Sequence, residues 1–142
     1  NEKAGFRMLR GEAVPVAGTI VIAGVDDPVA VRNGGAPGVR EAELLSSLPS
    51  GTFKVLLKHR PLTDRDTEGK FDLQLSGHTH AGQIFPFNLV TKFVFPYHRG
   101  DFSLPGGGRL HVSRGTGTWG PPVRLLAPPE VTIIDLVRAG KG

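Results

Sequence analysis

Two histidines one residue apart lie in the stretch Asp72-Leu73-Gln74-Leu75-Ser76-Gly77-His78-Thr79-His80-Ala81-Gly82-Gln83. Imidazole is the side chain that ligates transition metals and moves protons near neutral pH. In an extended segment residues i and i+2 project to the same side, so His78 and His80 can converge on one ion or on two neighbouring ions. Gly77 and Gly82 bracket the pair with positions that tolerate positive φ or a close approach of ligand to backbone. His59 ends a second apolar run, Phe53-Lys54-Val55-Leu56-Leu57-Lys58, and is followed by Arg60 and Pro61. Two strand ends thus offer three imidazoles. With no cysteine in the chain, a metal must be held by nitrogen and oxygen ligands, and disulfides are excluded.

Gly-His-Thr-His-x-Gly-Gln after an apolar strand, preceded by a strand ending His-x-Pro, resembles the calcineurin-like metallophosphoesterase superfamily. Ile22-Ala23-Gly24-Val25-Asp26-Asp27-Pro28 and the run from Val112 to Arg124 resemble its bacterial branch of YkuE- and YaeI-like phosphodiesterases, and the likeness covers nearly all 142 residues. The resemblance implies hydrolysis of a phosphate ester, as a phosphodiester, phosphomonoester or pyrophosphate, at a site of two divalent ions (manganese, iron or zinc). By carry-over, His59 and His78 serve one metal and His80 the other, and either His80 or a histidine missing from the chain contacts the leaving-group oxygen. The superfamily's Asp-x-His, bridging Gly-Asp and Gly-Asn-His-Asp/Glu motifs are missing from the chain. The expectation is therefore the carboxyl-terminal part, residues 1–142, of a longer phosphoesterase domain, inactive by itself. Two other readings stand beside it: a freestanding three-histidine zinc site, and a non-catalytic binding module whose histidines are relics. The resemblance implies a bacterial protein, cytoplasmic or membrane-associated.

Other chemistry-bearing residues carry less. Asp26 and Asp27 are either metal or substrate groups or, as we favour, a turn in which one carboxylate accepts backbone N–H bonds ahead of Pro28. His98 and His111 read as packed or solvated side chains. Arg114 and Arg124 either contact phosphate or pair with carboxylates, and glycines 115, 117 and 120 fit no P-loop spacing. The segment from Ile84 to Tyr97 is the most apolar of the chain. It either folds back over the core or forms an apolar wall beside the metals that takes a lipid-linked substrate or touches a membrane surface, with Lys92 and Arg99 nearby. The net charge of +4 comes from 17 basic and 13 acidic residues scattered along the chain, which does not favour nucleic acid as a partner.

These residues need strands to carry them. Hydrophobic content of 39% supports a core, and 20 glycines with 12 prolines between short apolar runs favour strands and loops over a helical bundle. Strands are expected at residues 18–24, 53–57, 72–75, 109–113 and 131–137. Val39, Ala42, Leu45 and Leu48 recur at helical spacing, predicting an amphipathic helix over residues 39–48, and a short helix is expected over residues 1–9. Two prolines exclude a long helix in residues 84–97. Gly140-Lys141-Gly142 is expected to fray. Together these elements predict an α/β fold, a metallophosphoesterase-like sandwich portion with many strands and one or two helices.

Overall fold

The computed structural model describes residues 2–34 and 38–138. Part of the glycine-rich link after Asn33 and the Gly140-Lys141-Gly142 end lie outside the described residues. Six strands form one sheet in the order β1-β2-β3-β4-β6-β5, where β1 is Glu12–Val16, β2 Ile20–Gly24, β3 Phe53–Leu57, β4 Leu73–Ser76, β5 Gly100–Ser103 and β6 Arg109–Val112. The four central strands are parallel, and β1 and β5 close the edges antiparallel. Three short helices accompany them: α1 over Pro28–Arg32, α2 over Glu41–Ser47 and α3 over Phe87–Val94. This is a mixed α/β fold of the class expected.

The register aligns Ala23, Leu56, Gln74 and Leu110 in one row across the parallel strands, and all four are fully buried. On this face Leu44 and Leu45 of α2 complete the core with Phe71, Leu104 and Val112. Truncating a side chain such as Leu56 to alanine would cost about 2–5 kcal/mol in lost burial and cavity. Lys58, just past β3, is buried and paired with Glu41 of α2 at 2.6 Å and with Asp64 at 3.2 Å, which ties the helix to the strand end. On the opposite face Leu57 is partly exposed, and the segment leading to β1 crosses the sheet there. Any Cβ at Gly24 would collide with Leu9.

Several expectations are corrected. Residues 131–137 form no strand and pair with none, with Val131, Ile133 and Val137 largely exposed; β-branched composition makes a strand only where an edge accepts it. The expected helix over residues 1–9 contracts to a single 3₁₀ turn, Glu2–Ala4. β1 and β5 were not anticipated. β1 contains Pro15, which lacks a ladder donor and is tolerated because the strand lies at an edge. Three helices form where one or two were expected, and α3 occupies the eight residues between Pro86 and Phe95.

Candidate functional site

His59, His78, Asp26, Asp27 and Arg114 follow the carboxyl ends of the parallel strands, where open α/β sheets place their ligands. Leu57 of β3 is level with Leu75 of β4, so the chain beyond them brings His59 beside Gly77, whose N–H donates to the His59 carbonyl at 3.0 Å. The same end of β2 leads to Asp26 and Asp27, and that of β6 to Arg114.

His59 and His78 meet. His78 Nδ1 lies 3.0 Å from His59 Nε2, with the rings edge-on and their centroids 4.8 Å apart. One nitrogen donates and the other accepts, so the pair shares a proton. The His59 side borders an open cleft of about 450 Å³ walled by Leu9, Gly24, Leu57 and Gly77.

The backbone that carries His78 and His80 is not extended, which corrects the simple i, i+2 argument. His78, His80, Ala81 and Gln83 all have positive φ, and Thr79 between the histidines is right-handed helical. Left-handed backbone costs a non-glycine residue roughly 1–2 kcal/mol, and such strain clusters where geometry serves a site. The loop is held by bonds from Gly82 N–H to the Thr79 carbonyl at 2.8 Å and from Thr79 Oγ1 to the His98 carbonyl at 2.7 Å.

His80 turns toward a different neighbour. Arg124 donates to His80 Nδ1 at 3.3 Å, which leaves the ring proton on Nε2, since a guanidinium cannot accept. The same guanidinium donates to the carbonyls of Arg114 at 2.9 Å, Gly115 at 3.1 Å and Ala127 at 3.0 Å. Arg124 is therefore a clamp on the loop rather than a free phosphate contact. Arg114 pairs with Glu130 at 2.6 Å. Among the described residues no three His, Asp or Glu side chains are grouped closely enough to hold a single metal ion.

Electrostatics favour neutral rings. Burial, then the charges of Arg60 and His59, push His78 below the usual imidazole range, although Asp27 pulls the other way. Burial, then Arg124 and His59, do the same to His80. Asp27 is held below the usual carboxylate range: burial alone would raise it, but the Val29 N–H and the Arg60 guanidinium outweigh burial. Asp27 accepts from Val29 at 2.9 Å and from Arg60 at 3.0 and 3.1 Å, while Asp26 pairs with Arg10. The favoured turn reading of this pair agrees with these bonds, and Asp27 opens α1.

His98 and His111 are both engaged in packing. His98 Nε2 is 2.8 Å from Thr91 Oγ1, and His111 bridges Asp101 at 2.9 Å and Thr132 at 3.1 Å. The residue that sequence reasoning passed over is Gln83. Its buried amide donates to the carbonyls of Trp119 at 2.8 Å and Pro121 at 3.0 Å and accepts from the Trp119 N–H at 2.6 Å, fastening the loop after β6 to the histidine loop. Its place beside Gly82 in the motif was visible. Its partners, some 36 residues away, were not.

The chain is 44% identical over 141 residues to an uncharacterized metallophosphoesterase of Aquifex aeolicus, covering 99% of this chain and 53% of that protein. Its sequence relatives are metallophosphoesterases. One from Helicobacter pylori is 40% identical over 133 residues, covering 92% of this chain and 35% of the relative. YkuE of Bacillus subtilis, also named an uncharacterized metallophosphoesterase, is 38% identical over 97 residues, 65% of this chain and 34% of its own. These names support the calcineurin-like superfamily and imply divalent metal ions for the relatives. The chain spans about half the length of the Aquifex protein and about a third of the others. No family model matches the chain and no solved structure matches it. Among the described residues no helix is long and apolar enough to cross a membrane.

Proposed function

We propose that this chain is the histidine-bearing, carboxyl-terminal part of a calcineurin-like phosphoesterase domain of the YkuE-like branch, whose complete protein hydrolyses a phosphate ester with two divalent metal ions. The observation that carries the reading is the 3.0 Å approach of His59 Nε2 to His78 Nδ1 at the ends of neighbouring parallel strands. The donor chemistry fits a metal. Burial favours the neutral rings of His78 and His80. A bound ion would take the place of the proton shared by His59 and His78, and of the Arg124 donor or the ring proton at His80, so that the imidazoles could ligate manganese, iron or zinc.

His59 and His78 would hold one ion and His80 the other. The separation of the third imidazole from the first two supports this division over a single three-histidine zinc site, since no three such side chains are grouped around one point among the described residues. When bound, the two cations would clamp phosphoryl oxygens and lower the pKa of a water. The chain's own residues bind and orient. Asp27 holds Arg60 beside the histidine pair, Arg124 and Gln83 set the loop around His80, and His80, or a histidine outside this chain, would contact the leaving oxygen. The remaining ligands, a bridging carboxylate among them, are sought in the part of the relatives that this chain does not span.

Metal analysis and hydrolysis of bis(p-nitrophenyl) phosphate with added manganese test the reading. The full-length protein should retain metal and turn over, the 142-residue chain alone should not, and His59→Ala should reduce retained metal. Turnover by the short chain within about tenfold of the long one would show that no missing half is needed. A long protein that neither retains metal nor turns over would favour the binding module with relic histidines.

A further inference from the structure

Helix α3 is built inside out. Projected at about 100° per residue, Leu89, Phe93, Val90, Val94 and Phe87 share one continuous arc, and Asn88, Thr91 and Lys92 share the other. A helix that covers a core turns its apolar arc inward. Here the inward contacts belong to the polar arc: Asn88 lies so close to the histidine loop that a Cβ on Gly82 would overlap its backbone, and Thr91 Oγ1 is bonded to His98. None of the helix residues is buried, and Phe93 is 91% exposed. The reading in which this segment folds back over the core is therefore corrected for α3, while Tyr97 at the segment's end does pack against the core. Apolar surface continues from Phe85 across the Ile84–Leu125 bridge to Leu125 and Leu126, which are exposed as well.

The charged residues on the helix and just beyond it are cations, Lys92 and Arg99, and from Leu73 to Pro129 the only acidic residue is Asp101, which is bonded to His111. Lys92, on the helix, and Arg99, just beyond it, have no carboxylate partner among the described residues. An eight-residue helix is only about 12 Å long, so α3 by itself falls short of the roughly 800 Å² per partner that a stable protein interface buries. A bilayer imposes no such demand, because it needs no complementary shape.

We propose that α3 docks on the surface of an anionic lipid bilayer, its apolar arc at the acyl boundary and Lys92 and Arg99 among the headgroups. Phe95, next after the helix, packs edge-on against His78 with ring centroids 5.2 Å apart, so docking would hold the histidine loop at the membrane surface. The inference requires nothing of the phosphoesterase reading. Its test reads binding rather than turnover, so the two can fail separately.

Co-sedimentation of the protein with vesicles of phosphatidylcholine, with and without phosphatidylglycerol, decides it. The protein should sediment with the anionic vesicles, less with the neutral ones, and less again at high salt. Phe87→Ser with Phe93→Ser should reduce partitioning at least about tenfold without lowering the melting temperature, since both rings are already exposed. Lys92→Gln with Arg99→Gln should weaken binding to anionic vesicles only. No sedimentation of the wild type, equal sedimentation of the serine variant, or a lowered melting temperature of that variant would each overturn the proposal. A concentration-dependent dimer that the serine variant abolishes would overturn it in favour of a second copy of the chain.

Discussion

His59 and His78 lie nineteen residues apart in sequence, yet their ring nitrogens approach to 3.0 Å because β3 and β4 run parallel and in register. Each strand delivers its histidine two residues past its end, on the same rim of the sheet. The pairing depends on the ladder as much as on the histidines.

Substitution should separate this pair from the other histidines. In the full-length protein, His78→Ala should reduce phosphoesterase activity by several orders of magnitude and metal content with it, since even residues that only support a ligand commonly matter about 10–100-fold. His111→Ala should leave turnover nearly unchanged and cost on the order of 1 kcal/mol of stability through its lost bonds to Asp101 and Thr132. Equal losses of activity, with metal occupancy followed in both variants, would place His111 in the site instead.

Two glycines of similar backbone conformation should respond very differently to alanine. Gly82 and Gly100 have φ of +81° and +87°, so both substitutions carry the left-handed penalty of roughly 1–2 kcal/mol. At Gly100 nothing lies within 4 Å of the added Cβ, whereas at Gly82 it would overlap the backbone of Asn88. Chemical denaturation should show Gly82→Ala as the more destabilised by well over about 1 kcal/mol. Similar midpoints would mean that α3 does not pack on the histidine loop.

Gln83→Leu keeps much of the side-chain volume and removes three hydrogen bonds to the loop of residues 119–121. The Trp119 N–H and the Trp119 and Pro121 carbonyls lose their side-chain partner, at a cost of about 1–3 kcal/mol for each that stays buried. Limited proteolysis should then cut the loop near Trp119 faster than in the wild type. An unchanged cleavage rate would dissociate Gln83 from loop order.

The ion pair of Arg114 with Glu130 should appear in the pH dependence of stability. Burial alone would raise the Glu130 carboxyl, but hydrogen bonds from Arg114 and Thr132 outweigh it and hold the group below the usual carboxylate range. A carboxylate depressed in the folded state contributes stability that is complete above its unfolded-state pKa, near ~4.3, and is lost as pH falls through the lower folded value. The stability difference between wild type and Glu130→Gln should therefore be constant from neutral pH to about 5 and shrink below ~4.3. A difference that grows on acidification would reverse the sign of the interaction.

Local patterns in the sequence determined the central strands, α2 and the residues at the strand ends, because apolar alternation and 3.6-residue spacing are properties of short windows. They also marked His78 and His80, bracketed by Gly77 and Gly82, as candidate metal ligands. What they left open was decided by partners far along the chain. Residues 131–137 carry as strong a strand composition as β2 and remain unpaired, while Glu12–Val16, interrupted by Pro15, pairs because β2 offers an edge. The direction in which α3 faces followed from Gly82 admitting Asn88, and the surroundings of His80 followed from Arg124, forty-four residues away. Periodicity states which side of a helix is apolar; only the packed chain determines which side the rest of the molecule meets.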